Sequence, residues 1–129
     1  MAVTRQFNIF LPNRPGELAK LCAALAKAKI NIVAVSVSDT IDHGVVRLVT
    51  DKNAKARAVL KKRKIPFSEN NVLCVKMLNV PGALAKAAAK LARARINVEY
   101  LYGSTTAAKG PATIVLRLSD EKKAAKILK

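Results

Sequence analysis

The chain has 129 residues, 51% of them hydrophobic, and a formal net charge of +16. That length suits one or two small domains, and it buries about two thirds of the unfolded surface without needing disulfides or metal. No run of about 18 apolar residues occurs, which excludes a membrane-spanning helix.

Met1-Ala2-Val3-Thr4-Arg5 leads directly into alternating residues with no signal-peptide pattern, so a cytoplasmic location is expected. Trp is absent and aromatics are 4%, so the core must be aliphatic. Phe7, Ile9 and Leu11 then alternate with Gln6, Asn8 and Phe10, the pattern of a strand with one buried face. Asn13-Arg14-Pro15-Gly16 follows. Proline presets φ for the first helical turn, and glycine lets the backbone reverse sharply. Leu18, Leu21, Cys22 and Leu25 recur at helical spacing. Asn31 marks the helix exit, where Asn tolerates a left-handed conformation. Ile32 to Ser38 reads as a β-branched second strand, Asp42-His43-Gly44 as a hairpin turn, and Val45 to Thr50 as the returning strand. Asp51 is expected to cap a second helix running to about Lys64. Pro66 to Asn70 forms a short fourth strand.

The same unit is then written again. Residues 13–32 align without a gap on residues 79–98 at an offset of 66, with 12 of the 20 positions identical. A repeat at matched positions decides the architecture. Leu73, Val75 and Met77 repeat the buried strand face, and Leu84, Ala88 and Leu91 repeat the helical stripe. Asn97 repeats the exit. A longer hairpin runs from Val98 to Ala107, through Lys109-Gly110-Pro111, to Ala112–Leu118, and Ser119 is expected to cap the last helix. Strand, helix, hairpin, helix, strand is the ferredoxin-like α+β arrangement, with antiparallel sheets carrying helices on one face. Two βαββαβ units are expected, over residues 1–70 and 71–129. The second has no residues left for its last strand. An uncovered sheet edge invites pairing, so another chain or a rearranged strand order is expected to cover it.

The charge is spread evenly: residues 1–70 hold 13 basic and 5 acidic side chains, residues 71–129 hold 11 and 3, and each half carries +8. Most cations fall in helical segments, as expected of a solvated outer face or of a surface that attracts anions. Cys22 and Cys74 lie 52 positions apart with no C-x-x-C motif and no neighbouring histidine, which fits inert thiols. His43 stands beside Asp42 and near Asp39, but Asp and Gly are what a turn there requires. No paired carboxylates, P-loop or G-x-G-x-x-G motif occurs, so catalysis, metal and cofactor are not expected.

The strand, N-x-P-G-x-L-A, helix and I-N-[IV] pattern, present twice, resembles the ACT domain. The short tandem chain is similar to stand-alone ACT pairs with no attached enzyme. That resemblance implies a regulatory protein binding an amino acid or similar small carboxylate, with homo-oligomers and a partner enzyme as associates. In ACT domains the ligand usually lies between two units, against the loop from the first strand to the first helix and near the second strand. On matching positions this implicates Asn13, Arg14, Pro15, Gly16, Glu17, Leu18, Asn31 and Ile32, and in the second copy Asn79, Pro81, Gly82, Ala83, Leu84, Asn97 and Val98. Many ACT loops carry Asp where this chain has Asn13 and Asn79. The copies also differ, Arg14 and Glu17 against Val80 and Ala83, so unequal sites are expected.

A helix N-terminus independently favours a carboxylate, since its first N–H groups are free and carry partial positive charge. The same motif serves equally as a plain strand-to-helix turn. RNA binding is the alternative from another class, with Tyr100 and Tyr102 as a stacking platform. Against it, neither hairpin carries the interleaved basic, Gly and aromatic pattern of an RNA-recognition strand. A purely structural dimerisation module regulating a partner enzyme requires the same fold.

Overall fold

The computed structural model describes residues 2–39, 43–105 and 107–128. The elements run β1 (Ala2–Pro12), α1 (Glu17–Lys27), β2 (Ile32–Asp39), β3 (His43–Thr50), α2 (Asn53–Lys62), β4 (Phe67–Leu78), α3 (Ala83–Arg93), β5 (Val98–Thr105), β6 (Pro111–Leu118) and α4 (Glu121–Ile127). The chain divides into two compact units, one of Arg5–Asn70 and one of Met1–Thr4 together with Asn71–Lys129. β1 and β4 each contribute residues to both.

In the Arg5–Asn70 unit the strand order is β2-β3-β1-β4. Antiparallel register sets Phe7 and Val35 opposite Leu48, and Ile9 and Val37 opposite Val46. The β1–β4 seam closes with the Phe10 N–H donating to the Pro66 carbonyl at 3.0 Å. Phe7, Ile9, Leu21, Leu25, Leu48 and Leu60 are fully buried around this face, each contributing about 1.5–3 kcal/mol of transfer energy. α1 turns Leu21, Ala24 and Leu25 inward, a three–four spacing. Phe67 meets Phe7 edge to face, with ring centroids 5.9 Å apart.

The second unit orders its strands β1-β4-β6-β5. Leu73 pairs with Leu116 and Val75 with Ile114, above a core that includes Leu91, Ile96, Leu118 and Ala124. Val3 packs against that core. Among the described residues no strand follows α4 in the second copy, and the leading residues of β1 stand beside β4. A rearranged strand order, rather than another chain, covers this flank of β4.

Both copies leave their first helix in the same way, two residues earlier than the asparagines suggest. Lys29 and Arg95 each hold φ at 58°. Ile30 N–H donates to the Leu25 carbonyl at 3.0 Å and Ile96 N–H to the Leu91 carbonyl at 2.9 Å, the paired closure of a Schellman turn. Asn31 and Asn97 are the next residues along. Their N–H groups donate to Asp51 Oδ1 and Ser119 Oγ, both at 2.9 Å. Asp51 and Ser119 are therefore occupied in bracing the helix exits and do not cap α2 and α4. Lys52 stands at the α2 N-cap, and its side chain makes no hydrogen bond that caps the helix. Asp120 caps α4, accepting from Lys123 N–H at 3.0 Å.

Candidate functional site

The two N-x-P-G segments form near-identical openings between strand and helix. Gly16 and Gly82 stand at the N-caps with φ of 90° and 89°, and neither helix has a side-chain cap. Only glycine adopts that conformation without steric cost. In the first copy Arg14 N–H donates to the Pro12 carbonyl at 2.9 Å, Glu17 N–H to Arg14 at 3.3 Å and Lys20 N–H to Gly16 at 3.0 Å. The second copy repeats these bonds, with Val80 N–H to Leu78 at 3.0 Å, Ala83 N–H to Val80 at 3.2 Å and Lys86 N–H to Gly82 at 2.9 Å. Each loop thus consumes the first helical N–H in its own turn. The next two, Leu18 and Ala19 or Leu84 and Ala85, lie in the uncapped first turn where the helix dipole is positive. A Cβ built on either glycine would meet nothing within 4 Å, so the opening faces free space.

The copies diverge in charge. Glu17 lies in the first turn of α1 and pairs with Arg14, Nη2 to Oε1 at 3.2 Å. The chain thereby supplies its own carboxylate to that helix end. The first turn of α3 holds no acid, because Val80 and Ala83 stand where Arg14 and Glu17 do. Asn79 is braced to the β5–β6 hairpin. Its N–H donates to the Gly110 carbonyl at 2.8 Å, its carbonyl accepts from Lys109 N–H at 2.9 Å, and its Nδ2 donates to the Ala107 carbonyl at 3.3 Å. That geometry commits the amide nitrogen and leaves Oδ1 as the acceptor.

The sequence-derived residues do not all gather at one place. Asn13, Arg14, Pro15, Gly16, Glu17 and Leu18 are contiguous at one end of α1, and Asn79, Pro81, Gly82, Ala83 and Leu84 at one end of α3. Asn31 and Ile32 lie beyond the other end of α1, whose 11 residues span about 16 Å. Strand register agrees: Ile32 pairs with Thr50, while Leu11 beside the opening pairs with Gly44. Asn97 and Val98 stand likewise beyond the far end of α3. Asp39, opposite Gly44, lies at the same end of the strands as the opening. Asp39 is not among the residues expected at the opening, although its closeness to the hairpin turn puts it at that end of β2. Leu18 and Leu84, read as part of the buried stripe, are each 42% exposed and stand beside the openings. Ala88 is exposed too, and Ala83 and Ala87 carry the inward face of α3 with Leu91.

Other candidates carry less. Cys22 and Cys74 are free and half-buried, and burial pushes the Cys74 thiol up. Among the described residues no cluster of His, Cys, Asp or Glu has the makings of a metal site. Asp42 and the His43 side chain lie outside the described residues. Tyr100 and Tyr102 are half-buried opposite Arg117 and Val115. No helix among the described residues is long and apolar enough to cross a membrane.

Comparison with known proteins follows the repeat. A family model described as an ACT domain pair matches residues 1–129. No curated protein matches. Among solved structures, a protein of Bacteroides thetaiotaomicron is 32% identical with a TM-score of 0.89, over 98% of this chain and 86% of its own. The ligand-free regulatory subunit of aspartate kinase from Thermus thermophilus has a TM-score of 0.70 at 18% identity, covering 99% and 93%. Aspartate kinase from Synechocystis has a TM-score of 0.63 at 21% identity, covering 98% of this chain and 25% of the enzyme. The latter two share the fold. With two matched openings on two ferredoxin-like units, and a family model spanning every residue, the chain belongs to the ACT domain pair family.

Proposed function

We propose that this protein is a non-enzymatic regulatory module that binds an amino acid by its carboxylate at a Pro-Gly helix opening. One observation carries the reading: a helix start with a left-handed glycine, no side-chain cap and open space beside it occurs in both copies. Backbone N–H groups and the positive helix end then receive a carboxylate, while an asparagine oxygen faces the ammonium group. The second copy is the stronger site. Its first turn carries no acid, whereas Glu17 already places a carboxylate on the first.

A second chain closes the site in this reading. The apolar stripe on β2 supports association, since Val33, Val35 and Val37 are 48%, 46% and 55% exposed on a strand paired only to β3. The name of the Thermus relative, a regulatory subunit of aspartate kinase, supports output through a partner enzyme. A thermal-shift screen of the twenty amino acids tests the proposal. Stabilisation follows RT ln(1 + [L]/Kd), about 2.7 kcal/mol at a hundredfold excess over Kd, and no shift with any of them at millimolar concentration would count against it.

A further inference from the structure

The helix openings make no use of the +16 charge, and its densest stretch lies along α2. Seven of the 13 residues from Lys52 to Lys64 are basic and none is acidic. Two of the seven serve the fold: Lys52 Nζ donates to the Lys29 carbonyl at 3.0 Å, and Arg57 bonds the Glu69 carboxylate. Lys55, Lys61, Lys62, Arg63 and Lys64 are exposed. Among the described residues their side chains have no hydrogen-bond or ion-pair partner.

Helix electrostatics account for only part of this charge. Lys61 and Lys62 lie in the last turn of α2, where cations offset the free carbonyls. Lys55 lies in the first turn, at the positive end of the helix, and no acid stands there to offset it. A cation in that place opposes helix stability, so folding does not explain it. Lys55, Val59 and Lys62 recur at spacings of four and three, one stripe of α2, and Arg63 extends it. Ala24, Lys27 and Ala28 form the matching stripe of α1. The two stripes enclose a groove of about 320 Å³ lined by Lys27, Lys62 and Arg63 together with Ala24, Ala28 and Val59.

From Lys55 to Arg63 the basic stripe runs about 12 Å. Three or four successive phosphates on one strand of a duplex, at about 3.4 Å of rise each, cover that length. No large apolar side chain of α2 is exposed, so a lipid surface finds nothing to bury. Neither α1 nor α2 carries an aromatic residue on which an unpaired base could stack. We infer that the α1–α2 groove binds the phosphate backbone of a nucleic-acid duplex without reading its bases, with Lys55, Lys62 and Arg63 on one wall and Lys27 on the other.

The test uses the full chain and a short DNA duplex of mixed sequence, followed by fluorescence anisotropy over a series of salt concentrations. The logarithm of affinity should fall linearly with that of salt, by about 0.9 for each phosphate contacted. Lys55→Gln/Lys62→Gln/Arg63→Gln should weaken binding at least tenfold at the lowest salt and reduce the slope by about 2.7. Lys90→Gln/Arg93→Gln/Lys122→Gln removes the same charge from the helices of the second unit and should retain both. Lys55→Arg/Lys62→Arg should retain both as well, and circular dichroism confirms that each variant folds. Absent binding or equal loss in both triple variants would overturn the assignment. So would competition as effective as the duplex, at equal charge, from single-stranded DNA, polyglutamate or vesicles of anionic lipid. The Pro-Gly openings are untouched by these substitutions, so the amino-acid reading stands or falls separately.

Discussion

Glu69 holds Arg57 in a two-point fork, Nε to Oε2 and Nη2 to Oε1, both at 2.8 Å. Arg5 Nε reaches the same Oε1 at 3.4 Å, and the Arg57 guanidinium lies 5.8 Å from the Phe7 ring centroid. One carboxylate therefore ties β4 to α2 and β1 beside the aromatic pair of the first core.

The fork makes stability depend on acid. Hydrogen bonds from Arg57, supported by Arg5 and opposed by burial, hold the Glu69 carboxyl down at about 2 rather than its ordinary 4.5. A depressed carboxyl stabilises the fold above its unfolded value, and that stability is lost as pH falls from about 4.5 through 2. Glu69 is 16% exposed but Arg57 is 34% exposed, so solvent screening limits the gain to about 1 kcal/mol. Urea melts of Glu69→Gln should lie that far below the parent at pH 7, and the two should converge near pH 2.

Val3 links the leading residues of the chain to the core of the second unit. Val3→Asp places a charge against that core and should destabilise by about 1–3 kcal/mol. Hydrogen exchange should accelerate first in β4 and β6. Faster exchange confined to the Arg5–Asn70 unit would show that β1 does not complete the second copy.

Gly16→Ala and Gly82→Ala keep open space around the new methyl, so their cost is backbone conformation alone. Each should lower stability by about 1 kcal/mol, measured as a shift in denaturation midpoint at unchanged m-value.

Gly103 presents the opposite case. A Cβ there would collide with the Ile114 side chain and lie 2.8 Å from the Thr113 carbonyl oxygen. Gly103→Ala should cost about 1–3 kcal/mol through overpacking. Ile114→Val in the same chain should recover only part of it, because the backbone oxygen remains. Thermal denaturation of the single and double variants measures both.

The duplicated unit was legible because the 66-residue offset carries strand, opening and helix together, and both openings fold as that motif implies. A rearranged strand order was one of two expectations for completing the second copy, but the segment that supplies it was not legible. Ala2–Thr4 has too few residues to show a strand period, and its partner β4 lies some 70 positions away. The helix exits were misassigned by residue type. Asn is the better left-handed residue, but burial of Ile30 and Ile96 fixes where the Schellman bonds close, and Lys29 and Arg95 accept the strain. Leu18 and Leu84 follow helical spacing, yet spacing alone does not say which side of the stripe the sheet covers. The candidate site was legible as a loop motif, and less so in extent, since the length of α1 separates Asn31 from Gly16.

The central claim is that amide hydrogens at a Pro-Gly opening receive a ligand carboxylate. Titrating the amino acid selected by thermal shift into ¹⁵N-labelled protein tests it most directly. Amide signals of Gly82, Leu84 and Ala85 should move furthest and saturate together, with smaller changes at Gly16, Leu18 and Ala19. Saturable binding that leaves the amides of both openings in place would contradict the account.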